Sequence, residues 1–210
     1  MEKPLAHIAR IFGGYPFRTA LRQADAGPVL VIQPKDVGEV GGRRLWTGSL
    51  FMFAPDGAMD DYLVRQGDVL FLARATKDHA ILVGEIPDDR VVIASGQFFV
   101  LRPGAGVLAA YLAWYLNQAP TQAYLREIGG RSTIPYIRRI HLMTVPVDVP
   151  PLDVQQRIVQ VAECWEREKE LVRRHMEKRE QLIANVSWAA AQAQARDGEK
   201  NVAYVDSTAD

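Results

Sequence analysis

A single stretch of sequence, residues 150–195, constrains the fold of this chain more than any other. After Pro151 it contains no Gly or Pro, and it consists mostly of good helix formers. Pro150 holds the approach extended. Pro151 suits the first helical position, because its fixed φ matches the helix and its missing N–H is not needed there. The stretch predicts one helix of roughly 60 Å, at about 1.5 Å per residue, a length typical of a coiled coil or an inter-domain strut.

Apolar side chains recur along this helix with a seven-residue period, the pattern of helices that pair with other helices. Glu168, His175 and Arg179 interrupt the seam. We therefore expect one particular partner helix rather than a generic zipper. The apolar residues on or beside the seam, which form the predicted interface, are Ile158, Val161, Trp165, Val172, Met176, Leu182 and Val186.

Length and composition predict one globular domain followed by the helix. With 210 residues, of which 48% are hydrophobic, the chain can bury a core of its own. We divide it into a globular domain over residues 1–149, the long helix over residues 150–195 and a flexible C-terminal tail over residues 196–210. The tail is assigned because Gly198 and its charged neighbours break the helical pattern.

Cysteine usage and hydropathy predict a cytoplasmic protein. The single cysteine, Cys164, cannot form an internal disulfide, which fits a reducing compartment. No apolar run follows Met1, so no secretion signal is predicted. No window approaches eighteen uninterrupted apolar residues, so we expect no membrane contact.

The globular part contains short apolar runs spaced roughly ten residues apart without intervening helical patterns, which indicates a strongly bent antiparallel sheet or open barrel. Leu5–Phe12 fits either a short helix or a strand. The predicted fold class is therefore α+β, with small helices after the sheet and one long coiled-coil-type helix at the end. Predicted strands cover residues 29–32, 69–73, 81–83, 91–93, 97–101 and a final one within 140–149, and predicted helices cover 108–117 and 121–128, with Thr121 as N-cap.

Residue types needed for catalysis are not found at the required spacings. The four histidines, His7, His79, His141 and His175, have no Cys or carboxylate at metal-ligand spacing. The segment 129–133 superficially resembles a phosphate loop, but it follows a helix and runs into Ile134 and Pro135, the reverse of the required context. The sequence therefore predicts a binding module without enzymatic activity, metal or cofactor.

Arginines provide the strongest indication of an anionic partner. The formal net charge is zero, yet most cations within residues 1–150 are Arg, whose planar fork suits phosphate groups and guanine edges. An Arg-rich composition also follows from genomic GC content. Arg43 and Arg44 follow a Gly-rich turn that includes Gly38, and the alternative interpretation of this segment is a solvated hairpin tip. Arg74, Thr76 and Lys77 lie where a predicted strand ends.

Several motifs together resemble a known family. Residues 130–137 read Gly-Arg-Ser-Thr-Ile-Pro-Tyr-Ile, and residues 150–158 follow the pattern Pro-Pro-Leu-x-x-Gln-x-x-Ile. Gly67-Asp68-Val69-Leu70 and the helix containing Tyr115-Leu116-Asn117 add support. Over about residues 4–190 the chain resembles the target-recognition domain of the DNA specificity subunit of type I restriction-modification systems.

This resemblance implies a non-catalytic reader of DNA sequence that binds double-stranded DNA and docks onto DNA methyltransferase subunits, with or without a restriction motor subunit. The usual subunit has two recognition domains and two such helices packed antiparallel, whereas this chain has one of each. We therefore expect either a half-subunit that forms a homodimer through its long helix, or a truncation.

Within this interpretation, residues 1–149 form the recognition domain. Ser132 has an alternative role in a turn that satisfies its own backbone, and Tyr136 has one as a half-buried packing residue. Two other functions stay open: a helical scaffold that never contacts DNA, and a recognition-domain fragment of a fused restriction-modification enzyme. The predicted DNA-binding residues are Arg43, Arg44, Arg74, Thr76, Lys77, Arg131, Ser132 and Tyr136.

Overall fold

The computed structural model describes residues 2–17, 29–40, 43–46, 49–51, 59–75, 80–86, 90–130 and 136–206. The chain divides into two compact units, Met1–Trp165 and Glu166–Asp210. The division falls inside the long helix. The first turns of that helix therefore belong to the globular unit.

The described part of the globular unit contains eleven strands and four short α-helices before the long one. The strands are β1 (Glu2–Pro4), β2 (Ala9–Gly13), β3 (Val29–Ile32), β4 (Val37–Val40), β5 (Arg43–Trp46), β6 (Ser49–Phe51), β7 (Val69–Leu72), β8 (Ala80–Leu82), β9 (Val91–Ala94), β10 (Phe98–Pro103) and β11 (Pro146–Asp148). The helices are α1 (Leu5–Ile8), α2 (Ala109–Leu116), α3 (Ala119–Ile128), α4 (Arg139–Met143) and α5 (Leu152–Asp206), and single 3₁₀ turns lie at Pro34–Asp36 and Asp60–Tyr62.

The main sheet is antiparallel and has four strands in the order β2-β10-β7-β8. Leu101 of β10 lies opposite Ile11 of β2 on one side and Val69 of β7 on the other. This sheet agrees with the antiparallel arrangement that the strand spacing indicated. The predicted α+β fold with a long terminal helix is confirmed.

A second sheet has the order β6-β3-β9 and includes a parallel pair that the strand spacing did not predict. Val31 of β3 pairs with Ile93 of β9 in the parallel sense, and with Ser49 of β6 in the antiparallel sense. Parallel neighbours need a long crossover, and here the chain between β3 and β9 includes β7 and β8, two of the four strands of the main sheet.

Apolar side chains cover both faces of the main sheet. Val69 and Phe71 of β7 lie in a core formed with the α-helices. The intervening residue Leu70, together with Ile81 and Val100, lies in a separate core shared with the second sheet. Because side chains alternate between faces along a strand, burial on both faces requires the continuous apolar runs seen in the sequence.

The structure revises two predicted boundaries, the start of a helix and the extent of the final strand. Helix α3 begins at Ala119, with the extended residue Gln118 as its N-cap, rather than at Thr121, which is buried inside it. Pro120 fits the first turn because the N–H it lacks is not needed there. The predicted final strand is limited to β11, because residues 139–143 form helix α4 instead. Short apolar runs are compatible with either structure, so the sequence pattern was ambiguous there.

Helix α5 spans 55 residues, Leu152–Asp206, and includes Gly198. A lone glycine inside a helix costs only about 1 kcal/mol relative to alanine, so Gly198 alone does not end it. Among the described residues, no helix combines the length and the apolar character that crossing a membrane requires.

Candidate nucleic-acid interface

Two of the predicted DNA-binding residues, Arg74 and Tyr136, lie in direct contact. They form an antiparallel β-bridge just beyond the end of β7, and the Arg74 guanidinium lies 5.0 Å from the centre of the Tyr136 ring. The backbone N–H of Ile137 donates to the carbonyl of Ala73 at 2.9 Å and holds the two segments together. Arg74 is exposed and the Tyr136 side chain is 46% exposed. A cation and an aromatic ring are thus presented together to solvent.

Arg43 and Arg44 begin strand β5, which pairs with β4 so that Arg43 lies opposite Val40 and Arg44 opposite Glu39. Gly38 is part of β4 rather than of the turn where the sequence placed it. Strand β5 also lies beside β8, the neighbour of β7 in the main sheet. The side chains of both arginines lie outside the described part of the chain.

Four further predicted residues, Thr76, Lys77, Arg131 and Ser132, lie outside the described residues. The described neighbours locate the ends of both segments. Gly130, which precedes Arg131, has a φ of +90°, a conformation that favours glycine. The next described residue is Tyr136, which belongs to the segment 130–137 that carries the family resemblance.

A groove with a cavity volume of about 400 Å³ contains two arginines that the sequence analysis did not select. Arg10 of β2 and Arg139 of α4 line it together with Asp61. Both arginines are exposed, and the Arg10 guanidinium lies 5.5 Å from the centre of the Phe12 ring. No local motif could have revealed this groove, because its residues come from three distant parts of the sequence.

The Gly67-Asp68 turn that supported the family resemblance serves the fold. Asp68 is 1% exposed and accepts two hydrogen bonds from the Arg102 guanidinium, each at 2.8 Å, and one from the Arg65 backbone N–H at 2.8 Å. Arg102 also donates to the Leu63 carbonyl at 2.9 Å. The hydrogen bonds to Asp68 raise the pKa of Arg102, while its partial burial opposes the shift. This pair attaches β10 to the turn before β7.

Gln155, the glutamine of the Pro-Pro-Leu-x-x-Gln-x-x-Ile pattern, lies in the first turn of α5. Its side chain is fully buried, and its amide donates to the carbonyls of Gly106 at 2.8 Å and Pro150 at 2.7 Å. Its oxygen accepts from the Leu108 backbone N–H at 2.9 Å. The side chain thereby joins the start of the long helix to the start of α2, a role that the sequence pattern did not reveal.

Helix α2 carries two comparable attachments. Asn117 donates to the Ala80 carbonyl at 2.8 Å and accepts from the Ala80 N–H at 2.9 Å, so its amide pairs with β8 as a neighbouring strand would. The Tyr111 hydroxyl donates to the Asp148 carbonyl at 2.7 Å. Burial, followed by the influence of Tyr115 and Asp148, raises the pKa of Tyr111 to about 12.

The long helix presents apolar side chains to solvent over most of its described length. The predicted interface residues are exposed, Val161 by 71% and Trp165 by 56%, with Ile158 intermediate. Val172, Met176, Leu182 and Val186 are each exposed by half or more, as are Leu171, Ile183 and Trp188. Such a continuous apolar surface marks an interaction site.

Among the described residues, no group of three or more His, Cys, Asp or Glu side chains could hold a metal ion. The globular unit carries cationic and aromatic side chains on a β-sheet scaffold, and the long helix carries an apolar face. This combination suits binding to an anion and to another helix.

In sequence, the chain aligns over 176 residues, at 25% identity, with the type I restriction enzyme MjaIX specificity subunit of Methanocaldococcus jannaschii. The predicted family resemblance is confirmed. The alignment covers 70% of this chain and 41% of that specificity subunit, so the chain spans about two fifths of its relative's length. No family profile matches the chain.

Solved structures of type I restriction-modification proteins share this fold. The HsdS subunit from Thermoanaerobacter tengcongensis superimposes with a TM-score of 0.59 at 20% identity, over 83% of this chain and 39% of that one. A chain from a study of complex assembly and conformational transition of the type I R-M system gives a TM-score of 0.61 at 21% identity, over 83% and 40%. The fold is thus that of a portion of a type I specificity subunit.

Proposed function

We propose that this chain is a sequence-specific DNA-binding component of a type I restriction-modification system, which directs methyltransferase and restriction subunits to a bipartite target. The observation that carries the proposal is the combined sequence and fold similarity to type I specificity subunits over most of the chain. In this role the chain has no catalytic activity of its own. It acts in the cytoplasm, where the host DNA lies.

DNA reading is assigned to the end of the main sheet that carries Arg74 and Tyr136. An exposed guanidinium held against an aromatic ring is oriented before binding, so it loses little side-chain entropy when it contacts a base edge or a phosphate. Arg43 and Arg44 belong to β5, which lies beside β8 of the same sheet, and in sequence Thr76, Lys77, Arg131 and Ser132 are close to Arg74 or Tyr136. Arg10 and Arg139 supply further charge for the sugar-phosphate backbone, whose contacts position a protein without specifying sequence.

Pairing through helix α5 is the second part of the proposal. The chain covers about 40% of each similar structure, so two copies approach the length of one such subunit. A homodimer would bury the exposed apolar face and present two recognition domains related by a two-fold axis. Its target would be two identical half-sites in inverted order around an unread gap. Methyltransferase subunits, with or without a restriction motor subunit, complete the assembly.

Methylation mapping of host DNA, with and without the gene, tests the assignment. Removing the gene should abolish methylation at one bipartite motif with inverted identical halves. A helical scaffold without DNA contact predicts an unchanged methylation map and no duplex binding. A recognition fragment of a fused enzyme predicts that the chain is covalently continuous with catalytic domains in the cell, which the mass of the native protein would reveal.

The mapped duplex then tests the site. Arg74→Ala should weaken binding about 10- to 100-fold and relax discrimination at one base pair if Arg74 reads a base. If it contacts phosphate, binding should weaken for all sequences and the salt dependence should decrease. Exposed Arg126→Ala on α3 is the matched control. Equal affinities for wild type, Arg74→Ala and Tyr136→Ala would exclude this end of the sheet as the reading surface.

A further inference from the structure

Two charged residues interrupt the apolar seam of α5 in a specific way. Glu168 and Arg179 occupy seam positions and are exposed. Neither residue has an ion-pair partner among the described residues. Nearby charges behave differently, since Glu170 binds Arg173 and Arg174, and Arg173 also binds Glu177. Glu168 and Arg179 are thus available on the seam, whereas Glu170, Arg173 and Arg174 beside it are paired within their own helix.

A parallel pair of these helices would place identical residues opposite one another. Glu168 would face Glu168 and Arg179 would face Arg179, and like charges in direct opposition are strongly unfavourable. In an antiparallel pair, the numbers of any two residues that face each other add up to the same total. Only an antiparallel arrangement can therefore place a seam glutamate against a seam arginine.

One antiparallel register matches all of the seam pairs except the central one, Val172 with His175. When Glu168 faces Arg179 of the other copy, Val161 faces Val186 and Trp165 faces Leu182. Ile158 then faces Ala189, and Val172 faces His175. Apolar residues meet apolar residues at both ends, and the two-fold axis passes between residues 173 and 174.

Shifting this register by one heptad in either direction loses the match. One shift places Trp165 opposite His175 and Val161 opposite Arg179. The other places Glu168 opposite Val186, and Arg179 opposite His175. A charge facing an apolar side chain in a helix interface loses hydration without gaining a partner.

We propose that the face of α5 binds a second copy of the same chain in this one antiparallel register, with Glu168 of each helix paired to Arg179 of the other. The proposal rests on the homodimer of the proposed function and names the residues that determine its geometry. Polar residues at single seam positions set register and orientation in helix pairs. By symmetry the ion pair occurs twice, on either side of the two-fold axis.

Cysteine cross-linking tests orientation and register on the full chain. In a Cys164→Ala background, V161C and V186C are made in separate proteins, both at exposed positions. An equimolar mixture should form a disulfide-linked dimer under mild oxidation, because the two side chains meet in the proposed register. V161C alone should not cross-link, because its two copies would lie about 38 Å apart, 25 residues at about 1.5 Å each. Cross-linking of V161C to itself would indicate a parallel pair and overturn the proposal.

Charge exchange tests the ion pair. In Glu168→Arg both seam charges become positive, and in Arg179→Glu both become negative, so each variant alone should dimerise about tenfold more weakly or worse. A mixture of the two should form a heterodimer with two complementary pairs and recover most of the wild-type affinity in sedimentation equilibrium. Glu180→Arg, next to the seam, is the matched control and should dimerise normally. Unchanged self-association of both variants, or no recovery on mixing, would refute the pairing.

The experiments distinguish failure of the proposed helix register from failure of the proposed DNA-binding function. Cross-linking and heterodimer formation without any duplex binding would refute the proposed function and retain the register. Methylation of a mapped motif together with V161C self-cross-linking would refute the register alone. A chain that stays monomeric at micromolar concentration, and joins a complex only when methyltransferase subunits are added, would exclude a second copy as the occupant of this face.

Discussion

The globular unit and the helix beyond Glu166 use polar side chains in opposite ways. In the globular unit, the buried Gln155 and the partly buried Asn117 donate to and accept from the main chain of distant segments. In the helix, Glu170 and Arg173 bond only to neighbours one turn away, while Leu171 and Val172 are exposed by 66% and 57%. The first region closes its own tertiary structure, whereas the second leaves its apolar surface for another molecule.

The same contrast holds for ion pairs. Asp68 is almost completely buried and makes three hydrogen bonds, so its environment depends on Arg102. The charges along α5 stay hydrated, and exposed pairs of this kind contribute little to stability. Substitutions in the two regions should therefore differ in both size and kind of effect.

Arg102→Met should produce the largest loss of stability. It leaves the Asp68 carboxylate buried with only the Arg65 N–H as donor, and removing one member of a buried pair typically costs 3–5 kcal/mol. Because Arg102 itself is 25% exposed, we expect about 3 kcal/mol in urea unfolding of the globular unit. A loss below about 1 kcal/mol would mean that water replaces the guanidinium.

Gln155→Leu should lower the free energy of unfolding by about 2 kcal/mol, since the partly buried Leu108 N–H loses its acceptor and two carbonyls lose a donor. Exposed Gln156→Leu, one position along the same helix, is the control and should change stability little. Comparison by thermal unfolding would show whether the buried amide, rather than helix propensity, joins α5 to the globular unit. Equal effects of the two substitutions would contradict this role.

Tyr111→Phe should cost about 1 kcal/mol at neutral pH through the lost hydrogen bond to Asp148. The pKa of Tyr111 is raised to about 12 in the folded protein, against about 10 when unfolded. Its contribution is complete below pH 10 and decreases as pH rises toward 12, where the unfolded chain loses the proton first.

The loss between pH 10 and 12 should reach about 2–3 kcal/mol. The difference in urea unfolding between wild type and Tyr111→Phe measures it, since other groups titrate equally in both proteins. A pH dependence shared by wild type and Tyr111→Phe would show that Tyr111 does not contribute.

Arg173→Gln should have the smallest effect. It removes the hydrogen bonds to Glu170 and Glu177, but these groups are solvated. We expect no measurable change in the melting temperature of the globular unit or in self-association. A clear loss of dimer would show that charges beside the seam, and not only Glu168 and Arg179, determine pairing.

Local sequence patterns determined the elements whose signal repeats along the chain. The start of α5 at Leu152, the helix at 109–116 and the buried strands of the main sheet follow from Pro placement, helical periodicity and continuous apolar runs. The family resemblance arose in the same way, from short motifs. Each of these signals is contained within a few neighbouring residues.

Only the tertiary structure decided which distant segments meet. The parallel pairing of β3 with β9, the contact of Arg74 with Tyr136 and the burial of Gln155 against Gly106 all join residues separated by more than forty positions. No local periodicity encodes such pairings, because they depend on how whole layers pack and on which backbone groups remain unpaired once they do. The motif containing Gln155 was readable in the sequence, but its physical purpose was not.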